Sequence, residues 1–310
     1  MRGLMSATDA KGICVVGSIN QDLVASVPHI PMPGETLLGT GFAGFSGGKG
    51  ANQAYAAAKL GARTAMIGAV GDDAYGSALI ANLSSVGVDV SGVRQEEGSS
   101  GLALIAHAPG GENSIVVIPG ANGKVSPAQL DTQMSQIRRA GMVLAQLEIP
   151  METIEHLAQM TMVAGVSFML DPAPAQRLSE DLMRAITWLT PNETEQRILL
   201  DVDRTEPEKA ARRLLETGVR NVALKLGARG IYLAGADCKT GYVPGFAVEA
   251  VDTTAAGDVF NAAFAVALGR GMTAVEAARF GTAAAAISVT RRGAQSSAPT
   301  LAEVESLLRE

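Results

Sequence analysis

Short apolar runs alternate with helical patterns along most of the chain. Residues 49–60 and 73–86 are periodic in the manner of helices and stop at Gly61 and Gly87. Continuous apolar strands separated by helices are typical of a parallel sheet covered on both faces. The pattern predicts an α/β fold with three αβα layers around a mostly parallel sheet. The runs that predict its strands are 13–17, 64–70, 142–147, 166–170, 186–190 and 221–226.

Two stretches interrupt this alternation. Residues 21–45 contain apolar segments on either side of the Pro-Met-Pro-Gly turn at 31–34, and residues 101–118 are arranged similarly around Pro-Gly-Gly-Glu at 109–112. Apolar segments flanking such turns predict β-hairpins. Together the hairpins predict a small sheet that stands off the main one. Over the strand ends, where α/β proteins bind ligands, this sheet would act as a lid.

Composition narrows the classes of function. Hydrophobic residues make up 47% of the chain and charged residues 18%, which favours a folded protein with a sizeable core. The net charge of −6 makes nucleic acid an unfavourable partner, and no apolar run is long enough to span a membrane. With only Cys14 and Cys238 there is no disulfide framework, so we expect a cytoplasmic location. Residues 1–10 lack the apolar core of a secretory signal and are interpreted as a loose tail.

The segment Val-Asp-Thr-Thr-Ala-Ala-Gly-Asp at 251–258 is the strongest local signal. Small residues permit a tight turn, and an amphipathic helix is predicted to begin near Gly257. The first N–H groups of a helix lack internal partners and favour an anion such as a phosphate. Asp258 could there accept a proton from a substrate hydroxyl. It could equally be an ordinary acidic residue at a helix start, and the segment alone leaves both interpretations open.

A glycine turn at 45–53 leads into another predicted helix. Its spacing is not that of a Walker A motif. Paired glycines allow a ligand to approach the backbone, and Lys49 and Asn52 would project from the first helical turn as hydrogen-bonding groups suited to a polyol. A double glycine before a helix is also a common structural turn, so this segment has two interpretations as well.

Taken together, eight segments resemble the ribokinases of the PfkB carbohydrate kinase family, in the same order and over about residues 12–310. The resemblance implies a single kinase domain at 11–310, with lid hairpins at about 20–47 and 99–121. It implies ATP-dependent phosphorylation of D-ribose at the O5 hydroxyl. A related acceptor (2-deoxyribose or a nucleoside) or a non-catalytic sugar-binding protein are the alternatives. The eight segments are 17–22, 33–36, 47–53, 146–148, 171–175, 191–195, 252–258 and 289–295.

The resemblance also implies which residues bind the sugar and the transferred phosphate. Asp258 corresponds to the catalytic base, which contacts the sugar as well. The residues implied to form the anion hole around the γ-phosphate are Ala255, Ala256 and Gly257. Those implied to bind the sugar are Asn20, Asp22, Gly48, Lys49, Asn52 and Glu148.

For the nucleotide, the resemblance implies that Asn192 and Glu195 organise Mg²⁺ and the phosphates. Two positions depart from the family pattern: Lys225 stands where Thr is usual, and Thr282 where relatives often carry His or Asn. Because of these two departures, the resemblance does not determine which residues contact the adenine. The residues implied to bind the nucleotide are Asn192, Lys225, Leu226, Gly227, Ala228, Arg229, Gly230, Gly257 and Thr282.

Two further expectations come from the resemblance. A potassium site is implied beside the anion hole, so the implied cofactors are ATP, Mg²⁺ and K⁺. A homodimer is implied through the lid sheets, whose predicted strands carry more apolar residues than one substrate face requires. The residues implied to form the potassium site are Asp252, Thr254, Ser288, Arg291, Gly293 and Ser297.

Overall fold

The computed structural model describes residues 11–109, 112–203 and 205–309. Within these residues the main sheet has nine strands. Side by side, they are β13 (Gly241–Val243), β12 (Ile231–Gly235), β11 (Asn221–Lys225), β10 (Trp188–Leu189), β9 (Ser167–Leu170), β8 (Ala140–Ala145), β1 (Gly12–Val16), β4 (Thr64–Gly71) and β5 (Asp89–Glu96). All neighbouring pairs from β11 to β5 are parallel, whereas β12 and β13 join the sheet antiparallel. The α/β prediction with a mostly parallel sheet is confirmed.

Strand β1 shows why the central strands are apolar throughout. Successive side chains of a strand point to opposite faces. Ile13 and Val15 pack into one apolar core, and Cys14 and Val16 pack into a second one. Both faces of the sheet are therefore covered, which gives the three layers that the sequence predicts.

The helices divide between these two cores. Helices α1 (Lys49–Lys59), α2 (Gly76–Ser85), α9 (Ala256–Gly269), α10 (Ala274–Val289) and α11 (Leu301–Leu307) contribute to the first. Helices α3 (Pro127–Thr132), α4 (Met134–Arg139), α5 (Met151–Ala164), α6 (Glu180–Ala185), α7 (Glu193–Leu200) and α8 (Pro207–Glu216) contribute to the second. Among the described residues, no helix is both long enough and apolar enough to cross a bilayer.

The start of α2 differs from the prediction of a helix over 73–86. The carboxylate Oδ1 of Asp73 accepts hydrogen bonds from the amides of Tyr75 and Gly76, at 3.1 and 2.9 Å. Its Oδ2 accepts one from the amide of Ser100 at 2.8 Å. Asp73 thus holds a turn ahead of the helix, and α2 begins at Gly76.

The strands of a second, smaller sheet are β2 (Asn20–Ser26), β3 (Gly41–Gly47), β6 (Gly101–His107) and β7 (Asn113–Ile118). Their order in the sheet is β3-β2-β6-β7. The antiparallel pairs β2–β3 and β6–β7 are the two predicted hairpins, and β2 and β6 join them in parallel. Residues 110 and 111 of the second predicted turn lie outside the described residues. The prediction of a small separate sheet is confirmed.

Candidate active site

Asp258 lies in the first turn of α9 and is 4% exposed. Its Oδ2 accepts a hydrogen bond from Nδ2 of Asn52 at 3.0 Å, and its Oδ1 accepts one from Nε2 of Gln53 at 3.1 Å. Both donors belong to the first turns of α1, which packs against α9. The two glycine-led helix starts identified in the sequence therefore meet at one carboxylate.

The pKa of the Asp258 carboxyl lies above its ordinary value. Burial is the main cause, and the negative charge of Asp171 adds to it. The charge of Lys49 and the hydrogen bonds from Asn52 and Gln53 act in the opposite direction without cancelling the shift. A carboxylate of raised basicity is suited to accept a proton from an alcohol.

The start of α9 offers amide hydrogens beside this carboxylate. Ala255 precedes the helix in the left-handed region, with φ 58°, and turns the chain into it. The amide of Ala256 donates to the carbonyl of Thr253 at 3.3 Å, but the described residues supply no acceptor to the amides of Gly257 and Asp258. Unpaired first-turn amides attract an anion, and here they lie in the same turn as the carboxylate.

On the side of the small sheet, Asn20 begins β2 and is buried. Its Oδ1 accepts a hydrogen bond from Nδ2 of Asn122 at 2.7 Å, and Asn122 also bonds both backbone groups of Ile19. Asn122, which the sequence analysis did not identify, thereby fixes the amide plane of Asn20. Gly48 has φ 86°, and a Cβ there would lie 2.7 Å from the amide nitrogen of Asn20, so the close approach of these segments requires glycine.

Two further carboxylates belong to this cluster: Asp22 lies close to Asp258, and Glu148 lies close to Asp22. Burial raises the pKa of Asp22 to about 7, and the charges of Glu148 and Asp258 add to that effect. Glu148 Oε2 accepts hydrogen bonds from the hydroxyl of Ser18 and from the amide of Lys49, the latter at 3.3 Å. Burial lowers the pKa of Lys49, but the charges of Asp258 and other carboxylates outweigh it and raise the pKa overall. The structure thus brings the predicted sugar-binding residues together.

A buried polar network lies behind this cluster. Gln53 Nε2 donates to Oδ2 of Asp171 at 3.3 Å as well as to Asp258, and Gln53 Oε1 accepts from Nε2 of Gln146 at 2.7 Å. Asp171 also accepts from Nζ of Lys225 at 2.9 Å. Asp171, Gln53 and Gln146 belong to segments of the family resemblance, but no role was assigned to them, because their association depends on contacts between distant parts of the chain.

Asn192 and Glu195 form a capping box at the start of α7. Oδ1 of Asn192 accepts hydrogen bonds from the backbone amides of Thr194 and Glu195, both at 2.8 Å. In return, the Glu195 carboxylate accepts hydrogen bonds from the backbone amide of Asn192 at 2.7 Å and from its side-chain amide at 2.8 Å. Burial raises the pKa of Glu195, against the charge of Lys225. A buried carboxylate of this kind is stabilised in its charged form by a nearby cation, and Lys225 is one.

The predicted nucleotide loop follows β11 as a short 3-10 turn, Gly227–Arg229. The amide of Leu226 donates to the carbonyl of Gly230 at 2.9 Å and closes the loop. Arg229 pairs with Glu193 of α7 at 2.6 Å, so the loop is joined to the helix that begins after Asn192. Thr282 lies in α10, where its hydroxyl donates to the carbonyl of Arg279 at 2.9 Å.

Asp252 is hydrogen-bonded to two of the other residues predicted to hold potassium. Its Oδ1 accepts from the amide of Thr254 and its Oδ2 from the amide of Gly293, both at 2.9 Å. Burial favours a higher pKa at Asp252, but these hydrogen bonds prevail and hold the pKa below its ordinary value. The hydroxyls of Ser288 and Ser297 donate to backbone carbonyls three residues earlier in their own segments.

Comparison with known proteins gives a consistent result along the chain. A model of the pfkB family carbohydrate kinases matches residues 10–301. A ribokinase of Haemophilus influenzae is 44% identical over 299 residues, 94% of this chain and 97% of the relative. A deoxyribokinase of Salmonella typhi is 36% identical, covering 96% of this chain and 98% of its own. The structure of Arabidopsis thaliana ribokinase complexed with ribose and ATP is 35% identical, with a TM-score of 0.89 and coverage of 97% of this chain and 99% of that one.

Proposed function

This chain belongs to the pfkB family of carbohydrate kinases, and we propose that it transfers the γ-phosphoryl group of ATP to the O5 hydroxyl of D-ribose, giving D-ribose 5-phosphate and ADP. The observation that carries this function is the position of Asp258. Its buried, hydrogen-bonded carboxylate occupies the same helical turn as amides that have no acceptor among the described residues. A base and an anion-binding site are thus adjacent.

In the proposed reaction, Asp258 accepts the O5 proton while O5 attacks the γ-phosphorus. The bond from that phosphorus to its bridging oxygen breaks, and the electron pair leaves with ADP. The transition state spreads negative charge over the phosphoryl oxygens, so preorganised donors stabilise it. The amides of Gly257 and Asp258 supply such donors, and Ala255 and Ala256 shape the turn that presents them.

The sugar would lie between the small sheet and α1. Asn20, Asp22, Gly48 and Glu148 surround this position together with residues of α1. Asn52 is 8% exposed, and its Oδ1 has no hydrogen-bond partner among the described residues. A buried acceptor without a partner is costly, and a sugar hydroxyl would satisfy it.

For the nucleotide, we propose that the loop from Lys225 to Gly230 contacts the phosphates. Mg²⁺ would be organised by Asn192 and Glu195, and when bound it would neutralise phosphate charge. The Glu195 carboxylate already accepts two hydrogen bonds from Asn192. We therefore propose that Glu195 contacts Mg²⁺ through a water molecule. We propose that Thr282 lies near the adenine of the bound nucleotide.

We also propose a potassium site at Asp252. Its ionised carboxylate ties the Thr254 turn to the Gly293 loop, and one carboxylate with surrounding backbone oxygens suits a large, weakly hydrated cation. The remaining oxygen ligands would come from Ser288, Arg291 and Ser297. This ion would stabilise the turn that shapes the anion hole.

Finally, we propose a cytoplasmic homodimer whose subunits meet through the small sheets, with residues 11–310 of each forming one kinase domain. Edge strand β7 is exposed along its whole length, although four of its residues are large and apolar. Exposed apolar edges of this kind favour pairing with another chain. The apolar residues exposed on the small sheet are Phe42, Phe45, Leu104, Ile115, Val116, Val117 and Ile118.

A coupled assay of ADP release tests the function directly. Purified protein is given ATP, Mg²⁺ and, in parallel, ribose, 2-deoxyribose, fructose or adenosine, and we expect the highest kcat/KM with ribose. The similarity to a deoxyribokinase makes 2-deoxyribose the second candidate. Preference for 2-deoxyribose would replace ribose as the acceptor, and absence of sugar-dependent ADP release would leave only a sugar-binding role.

A further inference from the structure

Lys225 and Asp171 form an ion pair that is almost buried. Nζ of Lys225 lies 2.9 Å from Oδ1 of Asp171, and the two side chains are 12% and 4% exposed. The backbone of each residue is fixed independently. The amide of Lys225 donates to the carbonyl of Pro191 at 2.8 Å, and the amide of Asp171 donates to that of Ala145 at 2.9 Å. The ammonium group is thus directed by a strand end and an anionic partner that are both held by backbone hydrogen bonds.

This ammonium group also lies against the start of α9. A Cβ built on Gly257 would be 3.4 Å from Nζ of Lys225. The amides of Gly257 and Asp258, which have no acceptor among the described residues, belong to the same turn. Two amide hydrogens and one positive charge therefore border the space next to the Asp258 carboxylate.

Asp171 connects this cation to the proposed base. Gln53 Nε2 donates to Oδ2 of Asp171 and to Oδ1 of Asp258, at 3.3 and 3.1 Å. The charge of Asp171 also contributes to the raised pKa of Asp258. One carboxylate thus contacts the ammonium directly and the base through a single amide.

The surrounding negative charge favours a cation here. Asp171, Asp258 and Glu195 are close enough to influence the pKa of one another or of Lys49. A triphosphate entering this acidic surrounding would be repelled unless positive charge faced it. Lys49 is on the proposed sugar side, in the first turn of α1, whereas Lys225 is on the side of the nucleotide loop.

We propose that Lys225 is a catalytic residue whose ammonium group contacts the transferring phosphoryl group, and that Asp171 is the positioning residue that aims it. This inference rests on the kinase reaction proposed above. As the bond from O5 to the γ-phosphorus forms and the bond to ADP breaks, the ammonium group of Lys225 donates hydrogen bonds to the phosphoryl oxygens. The proton of O5 still passes to Asp258.

The test compares Lys225→Thr, Asp171→Asn and the double variant, because a structural ion pair and a catalytic cation respond differently. Either single change leaves one buried charge without its partner, so both should lower Tm. The double variant removes both charges and should recover Tm. If Lys225 contacts the phosphoryl group, kcat should stay about 10- to 100-fold below wild type in the double variant, the range expected for a charge-assisted hydrogen bond. Recovery of kcat together with Tm would overturn the proposal.

Lys225→Arg should keep more of the wild-type kcat than Lys225→Thr, because it retains the positive charge. Lys239→Thr is the matched control. Lys239 is exposed in the turn between β12 and β13, and its replacement should leave kcat unchanged. A loss in this control equal to that of Lys225→Thr would count against a specific role of Lys225.

A binding measurement separates failure of this inference from failure of the proposed function. Calorimetry with ADP and with an ATP analogue carrying a non-hydrolysable β,γ bridge requires no sugar turnover. Lys225→Thr should weaken binding of the analogue about tenfold or more while leaving ADP affinity within about threefold. Equal effects on both nucleotides would overturn the contact with the γ-phosphate. A wild-type protein inactive on ribose would overturn only the proposed acceptor.

Discussion

Nδ2 of Asn52 donates a 3.0 Å hydrogen bond to Oδ2 of Asp258, across 206 positions of sequence. This contact joins the first turn of α1 to the first turn of α9. It orients the carboxylate, while Oδ1 of Asn52 remains without a partner among the described residues. One side chain can thus hold the base and accept a hydrogen bond from the alcohol that the base deprotonates.

Removing the base gives the first prediction. Asp258→Asn keeps the side-chain shape but cannot accept the O5 proton, so kcat should fall by about 10²- to 10⁴-fold, the usual contribution of general base catalysis. Ribose affinity, measured by calorimetry, should change little. Asp203→Asn, at an exposed position, is the control. Near-normal turnover of Asp258→Asn would disprove the proposed mechanism.

The pKa of Asp22 predicts a pH dependence of sugar binding. Its value of about 7 means that the carboxyl becomes protonated as the pH falls through neutrality and loses part of its capacity to accept hydrogen bonds from sugar hydroxyls. The KM for ribose should therefore rise as the pH decreases through about 7. In Asp22→Asn, the KM should be high throughout and independent of pH in this range. If the KM for ribose had the same pH dependence in the wild-type protein and in Asp22→Asn, the role assigned to Asp22 would be contradicted.

The Asp22 carboxyl should also make the stability of the fold depend on pH. For stability, unlike for sugar binding, acidic pH is the favourable condition. Folding raises the pKa of Asp22, so its protonated form is favoured in the folded state and its contribution to stability is complete at acidic pH, below the ordinary value. That contribution is lost as the pH rises through about 7. Without ligands, Asp22→Asn should therefore raise Tm more at alkaline than at acidic pH. Thermal unfolding monitored by circular dichroism measures the difference.

Potassium activation is the fourth prediction. Phosphorylation rates should increase with KCl and much less with NaCl at equal ionic strength, because an occupied site would fix the Thr254 turn and Gly293 loop around Asp252. Asp252→Asn keeps the shape of the side chain but removes its charge, and the difference between the two salts should then diminish. Equal rates in KCl and NaCl with wild-type protein would remove the potassium proposal.

Dimerisation through the small sheet is the fifth prediction. Sedimentation at micromolar concentration should give a species of twice the chain mass of 31.8 kDa. Val116→Lys introduces a charge on exposed strand β7 and should shift the equilibrium towards monomers. Val163→Lys, at another exposed valine on α5, serves as the matched control. A wild-type monomer under these conditions would reject the homodimer.

Much of the fold can be predicted from the hydrophobic pattern of the sequence. The strands at the edges of the main sheet are the exception. The central strands are buried on both faces, so their apolar runs are easily recognised. Strand β5 lies at one edge of the main sheet and reads Asp-Val-Ser-Gly-Val-Arg-Gln-Glu. Charged residues protect such an edge from pairing and conceal the strand from a search for apolar runs. At the other edge, β12 and β13 form an antiparallel pair that the alternation of strands and helices does not predict.

The candidate site was predictable only in part, because some of its residues have no recognisable local sequence signal. Asp258 and Asn52 lie in glycine-rich segments whose local chemistry is visible in the sequence. Asn122 and Asp171 act through partners more than 50 positions away, at Asn20 and Lys225. Only the folded chain brings these side chains together. The departure of Lys225 from the family pattern acquires a physical explanation once Asp171 is found beside it.

The junctions between the two sheets have a consequence for the use of ATP. Strand β2 begins at Asn20, soon after β1 ends at Val16, and β3 ends at Gly47, just before α1 begins at Lys49. A tilt of the small sheet must therefore displace the sugar contacts relative to Asp258. A sugar held between the small sheet and α1 would fix this tilt, and we expect wasteful hydrolysis of ATP to be slow as long as no acceptor sets that arrangement.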